Sequence, residues 1–157
     1  MSSWLDVALL AVLIVLNGVF AMSEISLVTS RRARLQRLID DKVAGAERAR
    51  ELNADPNRAL STIQVGITSI GILSGIVGES ALARPMEAFL VMVGLSPETA
   101  KAIGLFVVVV LITYFSIVMG ELVPKRIGQI SPERIACRLA PPIHCLSIIA
   151  APFVKLL

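Results

Sequence analysis

Between positions 4 and 20 the only ionisable side chain is Asp6, and uncharged apolar runs return at 59–78 and 102–119. A helix rises about 1.5 Å per residue, so a run of about twenty residues covers the roughly 30 Å hydrocarbon core of a bilayer. The chain as a whole is 55% hydrophobic and 17% charged with a mean hydropathy of +0.79, far above an average water-soluble domain. The expected fold is therefore all-α and integral to a membrane. It is one domain over 1–157, with three spans at about 4–28, 59–78 and 102–121. No Lys or Arg precedes the first span, and it runs on too far before a charge cluster to be a cleaved signal peptide.

Charge marks out the rest. From Arg31 to Arg58 there are eight basic residues against five acidic ones, so this segment faces water. Leu35, Leu38, Ile39, Val43 and Ala46 recur at three-and-four spacing within it, which predicts a basic amphipathic helix over 31–52 lying on the membrane surface or on its neighbours. Residues 79–101 read as a mixed loop with Pro85, Gly94 and Pro97, its apolar stretch 88–93 being too short to cross. After Pro124, the run 139–157 is broken by Pro141, Pro142 and Pro152 and reads as part of a juxtamembrane helix over 132–157, a fourth span being the alternative. The chain stops inside apolar sequence, and a soluble regulatory domain is expected downstream. Eight Lys and Arg lie between the first two spans, five after the third, two in the 79–101 loop and none at the start. The basic loop and C-terminus should thus be cytosolic and the N-terminus outside, in an inner (plasma) membrane crossed several times. Cys137 and Cys145 form no CxxC and are expected to be buried free thiols.

Polar groups inside the spans carry the functional reading. The run Gly120-Glu121-Leu122-Val123-Pro124-Lys125 sets a carboxylate and a proline at the membrane boundary. Pro124 has no N–H for the Gly120 carbonyl four residues back, so that oxygen should lose its helical partner beside Glu121. On the second span Ser61, Gln64, Thr68, Gly71, Gly75 and Gly78 share one stripe, with Ser69 and Ser74 on flanking faces. On the first, Asn17, Ala21 and Glu24 line one face and Ser23, Ser26 and Ser30 another. Each feature has a plainer explanation. The glycines suit close helix packing, the serines suit hydroxyl bonds to their own helix, Glu24 suits snorkelling or pairing with Arg31, and Glu121 suits an i,i+4 pair with Lys125. Taken together, oxygen donors from three spans with hardly a nitrogen among them suit Mg²⁺, Ca²⁺ or Na⁺ and not zinc or copper. No nucleophile and base pair, phosphate loop or redox centre is visible, so an enzyme is not expected, and nucleic acid is not an expected partner.

Three motifs resemble a known family. Phe20-Ala21-Met22-Ser23-Glu24-Ile25-Ser26-Leu27, Ser61-Thr62-Ile63-Gln64-Val65-Gly66 and the Gly120 to Lys125 run are similar to the three helix motifs of the CorC/CorB and cyclin-M (CNNM) transmembrane domain. The resemblance implies a Na⁺-coupled Mg²⁺ exporter, a homodimer with three spans per subunit, followed by cytosolic domains that bind ATP. It places Ser23 and Glu121 on cation-site positions. Family members often carry asparagines where Ile67, Thr68 and Gly71 stand here. The expected ligand set is Ser23, with Ser26 as the alternative, from the first span, Thr68 and Ser69 from the second, and the Gly120 carbonyl with the Glu121 carboxylate from the third. A reading of another class is a dimeric anchor that holds cytosolic sensor domains and transports nothing.

Overall fold

The computed structural model describes residues 3–154, with side chains described for 4–146, and its elements are all helical. Residues 155–157, the end of the expected C-terminal helix, lie outside the described residues. Helix α1 (Ser3–Thr29) is the first span. It is followed by α2 (Arg32–Asp40), α3 (Ala46–Ala54) and α4 (Pro56–Gly78). Helix α4 continues through a wide π turn, Glu79–Ala83, into α5 (Arg84–Met92). Helix α6 (Pro97–Ile117) likewise passes through a π turn, Val118–Leu122, into α7 (Val123–Ile130), and α8 (Pro132–Val154) closes the chain. Among the described residues, three stretches are long and apolar enough to cross a membrane: Trp4–Thr29, Pro56–Met92 and Pro97–Ile130.

Local chemistry sets these boundaries. Asp55 accepts a hydrogen bond from the Arg58 amide with Pro56 in the first turn, and Ser96 accepts one from the Thr99 amide with Pro97 in the first turn. Both are N-caps followed by a proline whose missing donor costs a first turn nothing. At the end of α1, Asn53 donates to the Leu27 and Ser30 carbonyls at 2.9 and 3.4 Å, serving acceptors that the helix leaves open.

Three expectations change. The basic segment is two helices where one was expected over 31–52: the chain turns at Lys42 (φ 57°) and Gly45 (φ 81°), and a Cβ on Gly45 would collide with the Cys137 carbonyl of α8. Residues 79–92 are helical and not a loop, because α5 packs along α6, where Gly104 lets the Glu87 backbone come close. Cys145 is exposed; only Cys137 is buried, and burial with Glu133 nearby pushes its thiol pKa up.

Helix α1 is central, packing against α4, α7, α8 and the second π turn. The shared core lies toward the end of the bundle that holds the basic helices, where Leu27, Leu35, Leu52 and Ile63 meet the small residues Ala136, Cys137 and Ala140 of α8. Glu133, itself buried, accepts from the Arg31 amide at 3.3 Å and stands 3.8 Å from Arg34, which ties the start of α2 to α8. Much of the surface along α1 and α6 is large apolar side chains left exposed, as suits a surface solvated by lipid.

Candidate functional site

Each π turn ends two residues before a proline, Ala83 before Pro85 and Leu122 before Pro124. A proline gives no donor to the carbonyl four residues back, and its ring presses on that carbonyl. Widening the turn relieves the clash, and such single π turns concentrate at functional sites. Here each one carries a glutamate, Glu79 on the first and Glu121 on the second.

At the second turn the missing donor is supplied by another helix. The Asn17 side-chain amide of α1 donates to the Gly120 carbonyl at 3.2 Å. The approach is close because α1 meets this segment through glycines. A Cβ on Gly18 would fall 2.8 Å from the Pro124 ring, one on Gly120 would fall 3.1 Å from Asn17 Nδ2, and one on Gly128 would fall 2.5 Å from Ile25. The other end of the amide, Asn17 Oδ1, is buried and has no hydrogen-bond partner among the described residues. A buried acceptor left unpaired costs roughly 1–3 kcal/mol, so this oxygen favours a cation or a water beside it.

Asn17 and both glutamates face a cavity of about 470 Å³ between α4 and α6. Ser74, Thr113 and Ser116 add hydroxyls, while Leu105, Val108 and Ile112 make the wall largely apolar. The two helices run antiparallel and touch where Gly78 meets Ile112; further along α4, Gly75 and Gly71 have nothing within 4 Å of where a Cβ would stand. Gly75 and Gly71 therefore border an open space within this chain, while Gly78 makes a close packing contact. Gly78 opposite Ile112 and Glu87 opposite Gly104 set the register. Glu79 follows Gly78 directly, while Glu121 comes nine residues after Ile112, roughly 14 Å further at helical rise.

The expected ligands divide into groups. Gly120 and Glu121 stand together on the second π turn. Ser23 and Ser26 are buried on another face of α1, their hydroxyls donating to the Val19 and Ser23 carbonyls at 2.7 and 3.0 Å, and Ser23 borders an apolar cleft with Leu139 and Ile143 of α8. Thr68 and Ser69 are exposed on α4. The i,i+4 pair is formed: Lys125 Nζ donates to Glu121 Oε1 at 2.7 Å. Glu24 pairs with the same Lys125 at 3.3 Å and not with Arg31. Asn17 and Glu79 are outside the expected set. The Asn17, Ala21 and Glu24 face was visible as a pattern, and Glu79 ahead of Pro85 repeats the order of Glu121 ahead of Pro124. Among the described residues no three His, Cys, Asp or Glu side chains gather as a metal site.

The arrangement defines a multi-pass helical membrane domain with a carboxylate-bearing cavity between two of its spans. The chain matches the cyclin M transmembrane N-terminal domain over residues 8–157, and it belongs to that family, as its motifs suggest. It is 43% identical over 153 residues to UPF0053 protein sll0260 of Synechocystis, covering 98% of this chain and 34% of that protein. It is 33% identical over 149 residues to UPF0053 protein YhdT of Bacillus subtilis, 95% of this chain and 32% of that one. To the polyamine export protein of Escherichia coli it is 32% identical over 142 residues, again 32% of the longer protein and 90% of this one. The chain thus spans about a third of the length of these relatives.

Proposed function

We propose that this domain exports a cation from the cytosol, and that the cation is Mg²⁺, exchanged for Na⁺. The observation that carries the reading is the oxygen cluster at the second π turn, where unpaired Asn17 Oδ1 and the Glu121 carboxylate face one cavity beside the Gly120 carbonyl. Hard oxygens of this kind suit Mg²⁺, which dehydrates reluctantly and would keep several waters in a space of this size. Ser23, Ser26, Thr68 and Ser69 would join in a state where α1 and α4 rotate toward the cavity. The working unit is a homodimer in the inner (plasma) membrane with its N-terminus outside, and ATP acts through a cytosolic region downstream. A ligand that binds only the folded state raises its melting temperature. Millimolar Mg²⁺ should therefore raise Tm of the purified protein, and Asn17→Leu and Glu121→Gln should each remove most of the rise. A wild-type Tm indifferent to Mg²⁺ would favour the anchor that transports nothing.

One observation favours a second cargo. Two glutamates on one apolar wall, separated by roughly 14 Å of helical rise, suit a linear polyamine, whose methylenes bury while its terminal ammonium groups pair. The Escherichia coli relative is named a polyamine export protein. If spermidine is the cargo, it should raise Tm where Mg²⁺ does not, and Glu79→Gln should matter as much as Glu121→Gln.

A further inference from the structure

We infer that Lys125 is a tethered counter-cation of this site: its ammonium holds the Glu121 carboxylate while the site is empty and withdraws to Glu24 when the transported cation arrives. The inference rests on the Mg²⁺ reading above and adds the residue that sets its apparent affinity. One ammonium serves two carboxylates from different spans, Glu121 Oε1 at 2.7 Å and Glu24 Oε2 at 3.3 Å. Glu24 belongs to the face of α1 that also carries Asn17, so the lysine links both walls of the oxygen cluster.

The three groups are unequally open. The Glu121 side chain is 48% exposed, against 31% for Lys125 and 26% for Glu24. A cation entering from the cavity therefore reaches Glu121 first, and the less exposed Glu24–Lys125 pair remains. The backbone need not move, because Pro124 is wedged against Gly18 while the Lys125 stem has four freely rotating carbons. Without Glu24, the ammonium would have no second partner and would stay on Glu121. Lysine and Mg²⁺ thus compete for one carboxylate, and Glu24 decides how easily the lysine yields.

The test compares apparent Mg²⁺ affinity, from titrated Tm shifts, in the wild-type protein, Lys125→Met, Glu24→Gln and the double variant. Lys125→Met should tighten Mg²⁺ binding roughly two- to fivefold, the scale of a partly exposed ion pair. Glu24→Gln should weaken it by a similar factor, and the double variant should behave as Lys125→Met. Lys125→Gln, which keeps a polar head, should shift affinity in the same direction should the methionine variant fold poorly. Unchanged or weaker Mg²⁺ binding in both lysine variants would overturn the inference and leave Lys125 as a clamp between α1 and α7. That outcome is distinct from failure of the site itself, in which wild type and Glu121→Gln respond alike to Mg²⁺ and both ideas fall.

Discussion

Around Gly120, three residues hold one another in place: Pro124 withholds a donor, Asn17 supplies one from α1, and Gly18 makes room for the proline ring. Pro124→Ala should separate stability from function. Proline in a helix interior is about 3 kcal/mol less favourable than alanine, while losing two buried ring methylenes forfeits about 1.6 kcal/mol. The variant should gain stability on the order of 1 kcal/mol in denaturant unfolding, and its Mg²⁺ protection should fall because the helix recaptures the Gly120 carbonyl. A loss of stability with unchanged Mg²⁺ protection would place the site elsewhere. The freed carbonyl was legible in the sequence because proline chemistry is local. Its partner was not, because Asn17 lies 103 positions away and reaches Gly120 only through the glycine-mediated crossing of α1.

Glycines also report on the elements, and in opposite directions. Gly45 sits at φ 81° against the Cys137 carbonyl, whereas Gly75 is helical and has nothing within 4 Å of a would-be Cβ. Gly45→Ala should destabilise the fold by at least about 1–2 kcal/mol, the cost of left-handed backbone for a residue with a Cβ. Gly75→Ala should stabilise it by up to about 1 kcal/mol through helix propensity. Thermal melts of the two variants check both, and a destabilised Gly75→Ala would mean that the cavity is filled by a neighbouring surface. At this scale the long spans were legible from length and charge. Helix α5 was not, because Glu79 and Pro85 look like terminators when read alone. The helix persists because the first π turn absorbs the proline and α6 covers α5. The break within 31–52 was hidden for a related reason: an apolar spacing of three and four runs straight through a turn that Gly45 makes against α8.

For the molecule as a whole, the packed core gathers at the end that carries the basic helices, while the exposed apolar flanks of α1 and α6 are left for lipid. The Lys and Arg excess of the basic helices predicts that this end faces the cytosol. With Cys145 replaced by serine to remove the exposed native thiol, a cysteine at Asn57 should label only from the cytosolic side and one at Glu98 only from outside. Both positions are exposed, and Glu98 spares the Ser96 cap. The reverse pattern would turn export into import. Neutralising Arg31, Arg32, Arg34 and Arg37 together should weaken seating on anionic membranes, by on the order of 1 kcal/mol for each charge near the surface, and leave Mg²⁺ affinity nearly intact. Vesicle co-sedimentation and Mg²⁺-dependent melting would separate the two effects, and a large loss of affinity would bring α2 into the site. The central claim is cation transport through the Glu121 end of the cavity, and flux in proteoliposomes tests it most directly. A Na⁺ gradient should drive Mg²⁺ against its own gradient in wild type and fail to do so in Glu121→Gln of equal stability and insertion. Equal Mg²⁺ flux in the two proteins, or none in wild type, would contradict the account.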